Sequence, residues 1–108
     1  MADIPQITVD QVPENAAVLD VREDDEWRAG HIMGVKHIPL AEVPQRLDEI
    51  PEADTVYVFC RAGGRSAQAT TWLNGNGFNA VNVDGGMKAW DAAGKPMVSE
   101  DGSAAAVI

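Results

Sequence analysis

The sequence predicts an α/β fold built on a largely parallel sheet, and three observations predict it. Short apolar, β-branched runs alternate with helix-like segments along most of the 108 residues. Glycines and prolines that turn or stop the chain, among them Gly30, Pro39, Pro51 and Gly94, stand between these runs. Three runs end in polar or glycine-rich loops: Asp20-Val21-Arg22, Cys60 to Ser66, and Asp84-Gly85-Gly86. Open parallel sheets collect ligands at such carboxyl ends of strands.

The elements follow in order. Ile7-Thr8-Val9 is expected as a short strand, with Asp10 capping a turn over Gln11 to Glu14. Ala17 to Val21 reads as a buried strand interrupted by one carboxylate. Glu23 to Ala29 is acidic at its start, as a helix N-terminus prefers, and stops at Gly30. Val35 to Ile38 is a short strand ended by Pro39. Leu40, Val43, Leu47 and Ile50 recur at three and four, which predicts an amphipathic helix closed by Pro51. Thr55 to Phe59 is rich in β-branched and aromatic residues and makes the clearest strand. Ser66 is expected to cap a helix through Leu73, followed by a strand over Ala80 to Val83 and a helix over Met87 to Ala93. Past Pro96 both periodicities fade. One domain over residues 1–98 is expected, with 99–108 a flexible tail.

Composition excludes several function classes. The net charge is -9, from 17 acidic and 8 basic residues, so a nucleic-acid surface is not expected. Met1 to Pro5 lacks the basic and apolar regions of a secretory signal, and no apolar run has membrane-spanning length. A single cysteine forms no internal disulfide and supplies no thiolate zinc cluster. The expectation is a cytoplasmic domain with no metal, no membrane contact and no organic cofactor.

That cysteine carries the chemistry. Cys60 ends a strand and faces the start of a helix, where backbone N–H groups are left without carbonyl partners and stabilise an anion. Ala62-Gly63-Gly64 lets successive amides turn inward without a Cβ in the way. A thiol so placed has a lowered pKa, and the thiolate is the nucleophile. Arg61 and Arg65 add positive charge, and no acidic residue lies between Thr55 and Val83. Arg65 suits a forked contact to a carboxylate, with Asp20 or Glu23 as partner, or to an anion; Arg61 is expected at the mouth. His31 is expected to hydrogen-bond backbone at the turn after the acidic helix rather than to serve as a base. Trp27, Trp72 and Trp90 are expected in the core. Gly85-Gly86 is expected to let its turn approach the Cys60 loop closely.

Taken together, these segments resemble the small single-domain form of the rhodanese family. The resemblance runs from Ile7 to about Pro96. It rests on Leu19-Asp20-Val21-Arg22 with Glu26-Trp27, on Gly30-His31-Ile32 through Pro39, on Val58 to Ser66, and on Val83 to Trp90. It implies a three-layer α/β/α fold with a mainly parallel five-stranded sheet. Val35, Lys36 and His37 depart from the commoner residues there, away from the cysteine loop. It further implies that Cys60 accepts sulfane sulfur as a persulfide, with amides of Arg61, Ala62, Gly63, Gly64 and Arg65 cradling the outer sulfur. Ser66 completes the binding loop, and Asp20, Arg22 and Glu23 support it. The implied donor is thiosulfate or a similar small anion, and the implied acceptor is a thiol or cyanide, with a protein donor or acceptor in reserve. The six-residue loop from Cys60 to Arg65 matches sulfur-transferring members, whereas related phosphatases have one residue more. The alternative within the same fold is a non-catalytic or sulfur-carrier module.

Overall fold

In the computed structural model, which describes residues 4–108, five strands form one sheet whose every pairing is parallel. The strands are β1 (Gln6–Ile7), β2 (Ala17–Asp20), β3 (Lys36–His37), β4 (Val56–Phe59) and β5 (Ala80–Val83), in the order β1-β5-β4-β2-β3. Helices α1 (Asp24–Ala29), α2 (Gly64–Gly75) and α3 (Gly86–Ala92) connect or follow them. The reading of residues 1–3 as domain start without a leader lies outside the described residues. Among the described residues no helix is long and apolar enough to cross a membrane.

The two-residue period of the strands divides the core. Leu19, Val21, Val56, Val58 and Cys60 join Ala69 and Leu73 of α2 in one cluster, together with Val43 and Ile50. Val18, Phe59 and Val83 face the other way and pack with Val9 and Met87 of α3. The sheet is therefore covered on both faces, as an all-parallel sheet requires. Cys60 inherits its direction from this alternation, which sends its side chain beneath α2.

Several expectations need correction. The first strand is Gln6–Ile7, because Val9 belongs to a 3₁₀ turn over Val9–Gln11 with Thr8, not Asp10, at its N-cap. Residues 40–50 do not form an α-helix; they form 3₁₀ turns at Leu40–Gln45 and Leu47–Glu49. Pro44 has no N–H to donate to the Leu40 carbonyl, and its ring would strike that oxygen, so the chain takes the tighter i→i+3 bonds instead. The apolar spacing still turns Val43 and Ile50 inward, so it signals the buried face but not the helix type. None of the three tryptophans is fully buried. Trp72 is 38% exposed on α2, while Trp90 meets the Phe59 ring edge-on at 5.7 Å. Trp27 stacks with both the His31 and the His37 rings, at 3.7 and 4.6 Å.

Residues 99–108, expected as a flexible tail, bond to the C-terminal end of α1 in this structure. The Glu100 N–H donates to the Arg28 carbonyl at 3.1 Å and the Ala106 N–H to the Ala29 carbonyl at 2.9 Å.

Candidate active site

Cys60 follows β4 directly and is 1% exposed. Its Sγ accepts a hydrogen bond from the Gly63 N–H at 3.0 Å and another from the Ser66 hydroxyl at 3.2 Å. Gly63 adopts φ +111°, a left-handed conformation that favours glycine, and so reverses the loop into the first turn of α2. The expected cap is thereby corrected. Gly63 stands at the N-cap, and Ser66 lies inside the first turn of α2, fully buried and turned back to the sulfur. Thr70 Oγ1 donates to the Ser66 carbonyl at 2.8 Å and ties that turn to the next one.

Burial pushes the Cys60 thiol up, since a charged sulfur loses solvation. The Ser66 hydroxyl and the amides of Ser66, Gly63 and Ala62 favour the thiolate and together outweigh burial, so the pKa lies below that of a free thiol. The loop is clamped from below by the 84–87 turn. The Met87 and Lys88 N–H groups donate to the Cys60 and Arg61 carbonyls, each at 2.9 Å. A Cβ on Gly86 would strike the Cys60 carbonyl and stand 2.9 Å from that of Arg61, which is the close approach expected of Gly85-Gly86. The loop's first carbonyls thus turn outward to α3, while the Gly63 amide turns inward to the sulfur.

The Arg65 fork grips Glu26, Nη1 to Oε1 at 2.7 Å and Nη2 to Oε2 at 2.8 Å. This overturns the expected pairing with Asp20 or Glu23. Asp20 is already taken by Arg22, with Nε and Nη2 of the guanidinium on its two oxygens at 3.0 and 2.8 Å. Glu23 is the exposed N-cap of α1, and its own N–H donates to Glu26 Oε1. The Arg65 fork, partial burial opposing, holds the Glu26 carboxyl down at about 2. Arg22 is fully buried and also donates to the Glu26 and Gly30 carbonyls, so it ties the end of β2 to α1. Asp20, Arg22, Glu26 and Arg65 make one chain of charge-assisted bonds from β2 through α1 to the loop. Glu26 is the residue whose role sequence reasoning missed. Its place in the first turn of α1, just past a strand end, was the available signal.

Arg61 is half-buried, and its Nε donates to the Ile108 backbone oxygen at 2.8 Å. Among the described residues no carboxylate side chain pairs with it. His31 Nδ1 donates to the Trp27 carbonyl at 2.7 Å, the backbone contact expected at that turn. Neither histidine is bonded to Cys60; His37 Nε2 donates to the Arg22 carbonyl at 2.7 Å. Among the described residues no group of side chains is arranged to hold a metal ion.

Comparison with known proteins bears on this site. The family described as Rhodanese-like domain matches residues 8–93. A sulfurtransferase of Allochromatium vinosum is 36% identical over 90 residues, covering 82% of this chain and 84% of that protein. The thiosulfate sulfurtransferase PspE of Escherichia coli is 39% identical over 72 residues, 65% of this chain and 69% of that one. YrkF of Bacillus subtilis, named for a sulfur-carrier role, is 40% identical over 96 residues, and the match spans 82% of this chain but only 52% of that protein's length. The crystal structure of a rhodanese-related protein from Thermoplasma volcanium superposes with a TM-score of 0.82 at 34% identity, covering 89% of this chain and 99% of that one. These relatives support sulfur transfer of the rhodanese type, and the chain belongs to the rhodanese-like domain family.

Proposed function

We propose that this domain moves sulfane sulfur from thiosulfate, or a similar small anionic donor, to a thiol or cyanide through a persulfide on Cys60. The single observation that carries the reading is the sulfur itself, held by the Gly63 amide and the Ser66 hydroxyl at a strand–helix junction. The Cys60 thiolate attacks the outer sulfur of thiosulfate; the S–S bond breaks, sulfite leaves with the electron pair, and Cys60 carries one extra sulfur with its negative charge. The acceptor's thiolate or cyanide then attacks that outer sulfur, and the Cys60 thiolate leaves. The loop amides from Arg61 to Arg65 stabilise charge on the outer sulfur, a preorganised electrostatic effect. Arg61, with no carboxylate side chain paired to it among the described residues, meets the donor's oxygens, while Arg65 serves the framework.

A second reading is a sulfur carrier, in which Cys60 is loaded and unloaded by protein partners. It is favoured by the near-complete burial of Cys60 and by the name of the Bacillus subtilis relative. A cytoplasmic, reducing setting suits a lone thiol under either reading. Intact mass after incubation with thiosulfate tests the covalent step: the protein gains one sulfur atom, loses it to reductant, and Cys60→Ser gains none. Catalytic turnover with cyanide then favours the enzyme, and a single loading without turnover favours the carrier. No mass gain with thiosulfate removes that donor from the proposal.

A further inference from the structure

The segment after Val98 has contacts that loop chemistry alone does not call for. The Val98 and His31 backbones exchange two hydrogen bonds, at 2.8 and 2.9 Å. Glu100 and Ala106 then satisfy the carbonyls of Arg28 and Ala29, which the end of α1 leaves unpaired. The Glu100 carboxylate also accepts the Trp27 indole N–H at 3.1 Å, with His31 Nε2 3.4 Å away. Gly30 makes this closeness possible. A Cβ there would stand 2.6 Å from the Ala106 oxygen and 2.8 Å from its nitrogen. Its φ of 178° is extended backbone open to any residue, so the absence of a side chain serves approach and not conformation. Val107 packs on the Phe59–Met87 cluster, and the segment ends with the Ile108 oxygen on Arg61 Nε at 2.8 Å.

We propose that residues 98–108 form a strap whose far end occupies Arg61, so that an anionic sulfur donor enters by displacing the Ile108 oxygen. This rests on the proposed role of Arg61 toward the donor. The Ile108 oxygen makes the single charge-assisted bond that an oxygen of the donor makes when it arrives, so the two compete for one guanidinium. The competition is reciprocal: the strap weakens donor binding, and the donor loosens the strap by the same factor. Ile108 is 53% exposed and its hold on Arg61 is one bond, so displacement is readily reversible.

Two variants test it, Gly30→Ala, which drives a methyl into Ala106, and a chain ending at Val98. Saturation of persulfide formation with thiosulfate is measured in both, and again with Arg61→Ala added. The expected result is half-saturation at about threefold to tenfold less thiosulfate with the maximal rate kept, the size of one exposed charge-assisted bond. With Arg61→Ala present the strap variants have no further effect. A second readout needs no sulfur transfer: in Cys60→Ser, thiosulfate speeds hydrogen exchange at the Ala106 amide. If wild-type protein takes up no sulfur, the functional reading fails and the exchange measurement still decides the strap. Half-saturation that stays put or rises in Gly30→Ala, or Ala106 exchange indifferent to thiosulfate, overturns the strap.

Discussion

Arg61 and Arg65 stand four residues apart in one loop and are held in opposite ways. Arg65 places both terminal guanidinium nitrogens on Glu26, and Glu26 sits on a helix whose backbone is held by buried Arg22. Arg61 rests on one backbone oxygen, 47 residues away along the chain. A forked, partly desolvated pair is stiff, and breaking it strands a charge; a single bond near the surface exchanges readily with water or an incoming anion. The loop thus contains one arginine locked into the framework and one held by a single exchangeable bond. Cys60 lies between these regimes, buried with the framework but presented by the loop.

Three substitutions probe that division, from the largest effect down. Cys60→Ser removes the nucleophile and abolishes sulfur uptake, while melting stays near wild type because the change is nearly isosteric. Persisting uptake would place the chemistry elsewhere. Arg65→Ala leaves the Glu26 carboxylate half-buried and unpaired and costs about 2 kcal/mol of stability. A domain of this size then melts roughly 10 °C lower, with sulfur transfer slowed as the loop loosens. In the chain ending at Val98, where the Ile108 oxygen no longer competes, Arg61→Ala raises half-saturation by thiosulfate about tenfold, the worth of one charge-assisted contact to an anion, with melting unchanged. Equal stability losses in the two arginine variants would erase the contrast.

The parts of this contrast differed in how well they could be read in the sequence. The strand that delivers Cys60 was legible because a run of β-branched and aromatic residues and a glycine-rich stop point the same way. The loop itself was legible for the same reason, down to the approach of Gly86. Residues 40–50 misled because spacing reports which side chains are buried, and both helix types bury the same ones; Pro44 decides between them. The partner of Arg65 was missed because Asp20, Glu23 and Glu26 are all acidic and near one strand end, so position alone does not rank them. Only the geometry of Arg22 shows that Asp20 is already occupied. The strap left no pattern, since backbone bonds to Arg28, Ala29 and His31 depend on no side-chain period.

A smaller effect separates the two donors on the sulfur. Ser66→Ala removes the hydroxyl and leaves the Gly63 amide in place, so the Cys60 pKa rises above its wild-type value. Alkylation rate against pH reads this as an inflection moved to higher pH. The sign for stability follows: a depressed thiol pKa contributes stability that is present above the unfolded value and lost as pH falls through the folded one. The variant therefore shows less gain in stability than wild type on the alkaline side. An inflection unmoved by Ser66→Ala would assign the activation to the amides alone.

The smallest effect is on the acid side, where the framework arginine has its own signature. Glu26 is held at about 2 by Arg65, below the ordinary carboxylate value. Its contribution to stability is complete above the unfolded value, about 4.3, and disappears as pH falls toward 2. Glu49 is also held at about 2, by Arg46 and Lys36, but that cluster lies on the surface. Salt screens the surface cluster far more than the partly buried pair. Melting temperature followed from pH 5 to pH 2 at high ionic strength therefore keeps the contribution of the less exposed pairs, and the part of the slope lost in Glu26→Gln is that of Glu26. A wild-type slope that vanishes in salt would mean that the Glu26–Arg65 pair is as exposed as the Glu49 cluster. The framework arginine would then be no stiffer than the one at the mouth.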